Sequence, residues 1–243
     1  MKVVEVQEAG DLNIKIFADG ADLDGMLEYA DNALIKGFTT NPTLMRQAGV
    51  SDYEKFAREV LAHITDRPIS FEVFSDEFDE MERQAYKLAG LASNVVVKIP
   101  VTNTKGESSR PLVSRLSSAG VSLNVTALMT PRQVDQVVEA LDHGPPAIVS
   151  VFAGRVADTG RDPLPLMSEC LRHTAGRDNV ELLWASPREI LNVVQADAIG
   201  CDIITVTHEM LRKLGGLGKD LEQFSLETVK MFASDAVSAG FEL

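Results

Sequence analysis

Short apolar runs alternate along the chain with longer stretches in which apolar residues recur every three or four positions. The short runs predict eight strands: Ile14–Ala18, Lys36–Thr39, Ile69–Phe74, Val95–Ile99, Val121–Val125, Ala147–Val151, Glu181–Trp184 and Asp202–Val206. The longer stretches predict a helix after each strand: Leu23–Ala33, Tyr53–Thr65, Glu77–Leu91, Ser108–Ser118, Pro131–Leu141, Asp162–Thr174, Pro187–Ala196 and His208–Leu214. Such alternation is typical of parallel α/β proteins rather than β-sandwiches.

Eight strand–helix units in 243 residues predict a single (β/α)8 barrel. Strands such as Val95–Ile99 are almost wholly apolar, as expected when helices cover one face and a packed interior the other. A doubly wound open sheet is the alternative architecture. No linker interrupts the pattern, so we assign one domain over residues 1–243, with residues 1–13 as an N-terminal extension.

One further helix is predicted beyond the needs of a barrel. Within about residues 219–243, the apolar periodicity predicts a helix over Leu221–Ala239. Its apolar residues, Phe224 and Phe232 among them, should be buried somewhere. They either pack on the same barrel or dock on a neighbouring subunit.

Composition narrows the class of function. With 23 basic against 36 acidic residues, the formal charge is -13, which argues against sequence-independent nucleic-acid binding. The segment from Met1 to Leu12 lacks the pattern of a signal peptide, and no run of about 18 apolar residues predicts a membrane span. Only Cys170 and Cys201 are present, which favours a reducing compartment, so we expect a cytoplasmic protein.

Polar residues at or just after the strand ends are the candidates for chemistry, because barrel active sites lie there. They are Asp19, Asn41, Glu72, Lys98, Asn124, Thr126, Ser150, Arg155, Ser186 and Arg188. Lys98 stands out because lysine is rarely buried without a purpose or a partner. Burial favours the neutral amine, which forms Schiff bases with carbonyl compounds. Alternatively, Lys98 reaches solvent or pairs with Glu72.

The other charged candidates allow two interpretations each. Asp19 and Glu72 could share a cavity with Lys98 as a proton-transfer set, although Asp19-Gly20 is also typical of a turn. The polar segment Thr39–Thr43, which holds Asn41, either binds hydroxyls or simply turns the chain. Arg155 follows a glycine, and Arg188 is predicted to open a helix, so both suit an anion. Ordinary salt bridges are the alternative for both arginines.

Other catalytic motifs are missing from the sequence. It contains neither a P-loop nor a Gly-x-Ser-x-Gly nucleophile motif. The histidines have no carboxylate at metal-ligand spacing, so we predict no catalytic metal. They are His63, His143, His173 and His208. Of these, His208 alone follows a strand closely enough to line the mouth of the barrel.

Seven segments together resemble the transaldolase family, particularly its short members, which include the fructose-6-phosphate aldolases. The segments are Ile16-Phe17-Ala18-Asp19, Gly37-Phe38-Thr39-Thr40-Asn41-Pro42-Thr43, Phe71-Glu72-Val73, Val97-Lys98-Ile99-Pro100-Val101-Thr102, Asn124-Val125-Thr126, Ser150-Val151-Phe152-Ala153-Gly154-Arg155 and Ala185-Ser186-Pro187-Arg188. Thr-Thr-Asn-Pro and Lys-Ile-Pro, in this order, are the most specific. The resemblance implies a (β/α)8 barrel that needs no metal or organic cofactor.

The resemblance also implies a role for each candidate. Lys98 would form a Schiff base with fructose 6-phosphate or sedoheptulose 7-phosphate, and Asp19 would deprotonate the C4 hydroxyl so that the C3–C4 bond breaks. Glu72 and Thr126 would hold a water that shuttles protons. A dihydroxyacetone unit would then pass to an aldose phosphate. The substrate-binding residues would be Asn41, Asn124, Ser150, Phe152, Arg155, Ser186 and Arg188. Of these, Arg155, Ser186 and Arg188 would hold the phosphate.

The sequence departs from the family pattern at three places. Gly20 replaces the usual Thr or Ser, the N-terminal extension is additional, and Val206-Thr207-His208 stands where the family has an apolar residue and proline. Short members are often ring-shaped, so we expect a homo-oligomer, with pentamer and decamer as candidates.

Glu72 and Phe152 favour transfer, because the branch that releases free dihydroxyacetone carries Gln and Tyr there. The alternative functions are an aldolase that releases free dihydroxyacetone, a related aldolase with a different acceptor, and a protein that binds sugar phosphates without turnover. A metal-dependent hydrolase is not supported, because the sequence lacks metal ligands.

Overall fold

Eight parallel strands close into a barrel in the computed structural model, which describes residues 8–141 and 144–242. The strands are β1 (Lys15–Asp19), β2 (Ile35–Thr39), β3 (Ile69–Glu72), β4 (Val95–Pro100), β5 (Leu123–Leu128), β6 (Ala147–Val151), β7 (Val180–Trp184) and β8 (Ile203–Thr207). They pair in chain order, and β8 closes the ring against β1. The predicted (β/α)8 barrel is confirmed, and the open-sheet alternative is wrong.

Eleven α-helices are present in the described part of the chain. They are α1 (Leu23–Ala30), α2 (Pro42–Gln47), α3 (Tyr53–His63), α4 (Phe78–Ala89), α5 (Arg110–Ser118), α6 (Pro131–Ala140), α7 (Ala153–Ala157), α8 (Pro163–Thr174), α9 (Leu191–Ala198), α10 (His208–Lys213) and α11 (Leu221–Ala239). Nine correspond to predicted helices. The two that were not predicted, α2 and α7, are too short to give an apolar period, and each follows the end of a strand.

Local sequence explains why the longer helices begin where they do. At the start of α6, the Thr130 side chain accepts a hydrogen bond from the backbone N–H of Gln133, whose own side chain accepts one from the Thr130 backbone. Pro131 fits the first turn because its missing N–H has no helical partner there. Val134, Val137 and Val138 then lie on one buried face of α6. This face packs the helix against the barrel.

Helix α9 corrects one prediction. It begins at Leu191 rather than Pro187, because Ser186 has a positive φ of 58° and the chain makes a turn first. The Asn192 side-chain oxygen accepts hydrogen bonds from the backbone N–H groups of Arg188 and Glu189. Arg188 therefore precedes α9 and does not open a helix, which corrects its predicted position.

The barrel interior changes from apolar to polar along the strand direction. An apolar cluster fills the lower interior with Phe17, Val96, Ile148 and Ile203. Two residues further along the same strands come Asp19, Lys98, Ser150 and Thr205. A larger apolar cluster packs the outside of the strands against the helices. Asp19 and Lys98 therefore lie above the apolar layer, toward the C-terminal ends of their strands.

Helix α11 buries none of its residues against the rest of the described chain. Leu221 is 80% exposed, Phe232 61% and Val237 81%. Packing on the same barrel is therefore not what the structure shows. In the described residues, no helix is long and apolar enough to span a membrane.

We propose that α11 docks on a second copy of this chain, because its exposed apolar side chains are unfavourable in water. Light scattering should give a multiple of 26.4 kDa, and ending the chain at Gly218 should lower that multiple. Replacing both Phe224 and Phe232 by Ser should also lower the number of subunits, because it removes apolar contact area. A monodisperse monomer of the full chain at micromolar concentration would contradict the proposal.

Candidate functional site

A cavity of about 540 Å³ opens at the C-terminal ends of the barrel strands. Nine of the eleven sequence-predicted site residues line it: Asp19, Asn41, Glu72, Lys98, Thr126, Ser150, Phe152, Arg155 and Ser186. Asn124 and Arg188 are not on its wall. Thr39, Gln47 and Thr205 line the cavity as well, and none of the three was predicted as a site residue. Thr39 and Thr205 each end or nearly end a strand, which is the signal that could have identified them.

Lys98 lies on β4 and is only 6% exposed. Its Nζ donates a hydrogen bond to the backbone oxygen of Thr40 at 2.8 Å and lies 3.4 Å from Glu72 Oε2. Strand register explains this arrangement, because Glu72 on β3 is the direct neighbour of Lys98. The amine does not reach bulk solvent. Lys98 therefore both pairs with Glu72 and lies in the cavity, although the sequence offered these as alternatives.

Asp19 ends β1 and is the register neighbour of Thr39 on β2. The Thr39 hydroxyl donates a hydrogen bond to Asp19 Oδ1 at 2.7 Å, and it also bonds with the Thr205 hydroxyl. Burial raises the pKa of the Asp19 carboxyl, while Lys98, the Thr39 hydrogen bond and His208 act in the opposite direction. A carboxyl with a raised pKa both accepts and returns protons more readily near neutral pH. The turn interpretation of Asp19 is wrong, since the residue belongs to the strand.

Thr126 and Glu72 both line the cavity. Thr126 Oγ1 is buried and makes no hydrogen bond to any described residue. Buried hydroxyls normally have a partner, so this one is available to a ligand or a water. The backbone oxygen of Glu72 accepts a hydrogen bond from the Tyr53 hydroxyl at 2.7 Å, which fixes the end of β3. Together the two side chains can hold a small polar molecule close to Lys98.

Asn41 begins the short helix α2 at the rim of the cavity. Its side-chain oxygen accepts a hydrogen bond from the backbone N–H of Leu44 at 3.0 Å, and Pro42 occupies the first turn. Capping uses the oxygen, which leaves the amide NH2 as a donor toward the cavity. The segment is therefore a helix start as well as part of the cavity wall.

Asn124 lies beneath the cavity rather than on its wall. It is fully buried, its amide donates to Ser70 Oγ at 3.0 Å, and its oxygen accepts from Ser150 Oγ at 2.7 Å. The structure therefore does not bring Asn124 to the position predicted for a residue that binds substrate hydroxyls. Its contacts orient Ser150, which does line the cavity.

The cationic end of the cavity is built by α7 and the segment after β7. A Cβ on Gly154 would lie 1.5 Å from the backbone oxygen of Ser186, so only glycine allows these segments to approach this closely. Arg155, the next residue, lines the cavity with its guanidinium 5.7 Å from the ring centre of Phe152. Its side chain forms no ion pair with a described residue. Arg155 is therefore free to meet an anion.

Arg188 lies outside the cavity. Its Nε and Nη2 donate to the Asp158 carboxylate at 2.8 and 2.5 Å, and Nη1 donates to the backbone oxygen of Ser186 at 3.0 Å. The salt-bridge alternative is therefore what the structure shows for this arginine. The pair joins the end of α7 to the segment after β7, which supports the cationic end from outside.

The histidines form no metal site within residues 8–141 and 144–242, where no cluster of three or more potential ligands occurs. His143 lies outside the described residues. His208 does not line the cavity, so that prediction is wrong. The ring instead lies next to Gly20 and Gly25, behind the end of β1.

A second cavity, of about 310 Å³, opens at the opposite end of the barrel. Its charged lining residues all have partners: Arg67 pairs with Asp66 at 2.7 Å, and Glu181 pairs with Lys15, which is outside the cavity wall, at 2.5 Å. It contains neither a buried amine nor a carboxyl with free access to a ligand. The reactive groups of the described chain therefore concentrate at the C-terminal end.

Comparison with known proteins identifies the family to which this chain is similar. The family model for Transaldolase/Fructose-6-phosphate aldolase matches residues 16–243. A Methanococcus maripaludis protein named probable transaldolase is 34% identical over 202 residues, covering 83% of this chain and 89% of that protein. A Dehalococcoides mccartyi protein of the same name is 32% identical, covering 83% and 90%. A crystal structure of a Pediococcus acidilactici protein described as a lactate oxidase aligns with a TM-score of 0.58 at 16% identity, over 85% of this chain and 65% of that one, which shows the fold alone.

The raised pKa of Asp19 predicts a cost in stability. An unfolded aspartate has a pKa of about 3.9, so the folded protein binds this proton more tightly and ionisation of Asp19 disfavours folding above that pH. Asp19→Asn keeps an oxygen for the Thr39 hydroxyl and should raise Tm at pH 7.5. The gain should shrink as pH falls toward about 4. Calorimetry measures Tm at pH 7.5 and at about pH 4. The control Asp31→Asn, which changes an exposed aspartate, should not raise Tm in this way. A lower Tm for Asp19→Asn at both pH values would contradict the raised pKa of Asp19.

Proposed function

Because the chain belongs to the transaldolase/fructose-6-phosphate aldolase family, we propose that it transfers a dihydroxyacetone unit from a ketose phosphate to an aldose phosphate. The donors are fructose 6-phosphate or sedoheptulose 7-phosphate, and the covalent carrier is a Schiff base on Lys98. The observation that carries this proposal is the meeting of Lys98, Glu72 and Asp19 in one cavity that also exposes Arg155. We assign the reaction to cytoplasmic sugar-phosphate metabolism.

Schiff-base formation is the first step. The Lys98 amine attacks the C2 carbonyl of the donor, and the carbinolamine loses water to give an iminium. This requires proton removal from nitrogen and proton delivery to the leaving hydroxyl. Glu72, with Oε2 3.4 Å from Nζ, and the unpaired Thr126 hydroxyl are the groups available for that exchange, directly or through a bound water.

Cleavage of the carbon–carbon bond follows. Asp19 removes the proton from the C4 hydroxyl, the C3–C4 bond breaks, and its electron pair moves into the iminium to give an enamine. The aldose phosphate then leaves. Thr39 holds one oxygen of the Asp19 carboxyl, so the other is free for the substrate hydroxyl. The raised pKa of Asp19 favours its return of the proton when the enamine adds to an acceptor aldehyde.

The fate of the enamine separates transfer from free aldolase activity. The enamine either adds to an acceptor aldehyde or is protonated and hydrolysed. Phe152 lines the cavity and offers a hydrolytic water no hydrogen-bond partner, so placing that water there is unfavourable. Transfer is therefore favoured over release of dihydroxyacetone.

The experiment that tests the proposal is borohydride reduction in the presence of fructose 6-phosphate, followed by peptide mass mapping. The peptide containing Lys98 should carry a three-carbon dihydroxyacetone unit, because only a Schiff base becomes permanent on reduction. Lys98→Ala should abolish both label and turnover, whereas Lys36→Ala, which changes an exposed strand lysine, should retain them. Label at another lysine, or full activity of Lys98→Ala, would refute the mechanism. Binding without any label would favour the sugar-phosphate binding protein.

We expect Arg155 to recognise the phosphate. Arg155→Ala should raise KM for fructose 6-phosphate by about 10- to 100-fold, since a charged hydrogen bond contributes about 1.5–3 kcal/mol. KM for dihydroxyacetone should change little. Arg188→Ala should have a smaller effect, because this guanidinium is held by Asp158 away from the cavity. Steady-state kinetics on both substrates measure the difference, and equal losses on both would show that Arg155 is structural.

We also expect little release of dihydroxyacetone without an acceptor. With fructose 6-phosphate alone, glyceraldehyde 3-phosphate should form in about one equivalent of enzyme, because the enamine on Lys98 persists. Adding erythrose 4-phosphate should give sustained turnover to a seven-carbon ketose phosphate. Phe152→Tyr should increase acceptor-free release. If dihydroxyacetone accumulates equally fast without an acceptor, the aldolase function is correct; if Phe152→Tyr leaves the ratio unchanged, the role given to Phe152 is wrong.

A further inference from the structure

Two positions that depart from the family pattern, Gly20 and His208, lie against each other in the folded protein. We propose that His208 is a positioning residue for Asp19, with its imidazole filling a slot formed by Gly20 and Gly25 and thereby fixing the end of β1. The ring does not line the cavity, so it acts through other groups. The inference rests on the proposed function in one respect, the role of Asp19 in bond cleavage.

Two glycines make the slot. A Cβ on Gly20 would lie 2.8 Å from both Cε1 and Nε2 of the His208 ring, and a Cβ on Gly25 would lie 2.6 Å from its Nδ1. Real Cβ atoms essentially never approach other atoms so closely. The imidazole therefore occupies the space that side chains at positions 20 and 25 would need. A side chain at either position would therefore require the imidazole to shift.

The remaining contacts hold the ring in place. Its centre lies 4.8 Å from that of the Tyr29 ring, and the Tyr29 hydroxyl donates a hydrogen bond to the His208 backbone oxygen at 3.2 Å. His208 Nε2 is buried and bonds to no described residue. Packing between α1 and the end of β1 therefore positions the imidazole. This position is unfavourable for Nε2, which is buried without a hydrogen bond. Such a feature is expected where function requires the residue.

Backbone contacts connect the slot to Asp19. The N–H of Gly20, next to the ring, donates to the backbone oxygen of Thr39 at 3.1 Å. The Thr39 hydroxyl in turn donates to Asp19 Oδ1 at 2.7 Å. Movement of Gly20 would thus change the geometry of the hydrogen bond that orients the Asp19 carboxyl. The route from the ring to the carboxyl passes through one glycine and one threonine.

The charges around the ring come from three elements: Asp19 at the end of β1, Asp22 and Glu28 of the α1 region, and Arg212 of α10. Burial lowers the pKa of His208, while Asp22, Asp19 and Glu28 oppose this and Arg212 adds to it. In the other direction, His208 lowers the pKa of Asp19. Removing the imidazole should therefore move the acidic limb of the cleavage rate to higher pH.

A double-mutant cycle tests the proposal, using Gly20→Ala, His208→Ala and the double variant. Gly20→Ala should lower kcat for cleavage of fructose 6-phosphate by about tenfold or more, with a smaller change in KM. In the His208→Ala variant, Gly20→Ala should lower kcat by less than about threefold, because the ring that clashes with the new Cβ is gone. Gly215→Ala is the matched control, since a Cβ there meets nothing within 4 Å. It should leave kcat unchanged.

A second readout separates positioning of Asp19 from general damage to the site. Schiff-base formation does not use Asp19, so dihydroxyacetone should still be reduced onto Lys98 in all these variants, within about twofold of the unchanged protein. His208→Ala alone should shift the acidic limb of the kcat–pH profile to higher pH. This test remains available even if Gly20→Ala folds poorly. Additive effects of the two substitutions, equal loss of adduct and cleavage, or an unshifted limb would each overturn the inference. Absence of the Lys98 adduct in the unchanged protein would instead overturn the proposed function.

Discussion

The Lys98 amine lies inside a barrel whose lower half is filled by apolar side chains, and the upper half of the interior is arranged around it. A polar group removed from water must find partners, and Lys98 finds the Thr40 backbone oxygen and the Glu72 side chain. Asp19 is held by a threonine hydroxyl instead. The same burial leaves only 6% of Lys98 exposed. The requirement for pairing therefore produces a group of residues that can exchange protons around one amine.

The cavity separates two tasks along its length. The amine and carboxyls lie at the bottom, where they carry out the proposed bond making and breaking, and Arg155 lies at the rim on the short helix α7. Gly154 allows α7 to pack directly on Ser186, and the Asp158–Arg188 pair fastens the same two segments on the outside.

Much of this architecture was predictable from sequence. Short apolar runs predicted all eight strands, and polar residues at strand ends predicted eight residues that line the cavity, with Phe152 added by the family resemblance. Short elements were not predictable: α2 and α7 have no apolar period, and α9 begins late because Asn192 takes over the preceding N–H groups. Asn124 and Arg188 were misplaced because side-chain partners from distant segments, Ser150 and Asp158, decide where they point. Sequence identifies the strand ends, whereas such long-range pairs require the folded structure.

The most direct test of this account compares the mass of the borohydride-reduced adduct in two proteins. After reaction with fructose 6-phosphate, the unchanged protein should carry only a three-carbon unit on Lys98, because Asp19 has promoted cleavage. Asp19→Asn should carry the intact six-carbon sugar phosphate on the same lysine, because the Schiff base forms but the C3–C4 bond remains. Three-carbon adducts of equal yield in both proteins would contradict the role of Asp19. Absence of any adduct on Lys98 would contradict the central claim that this buried amine is the nucleophile.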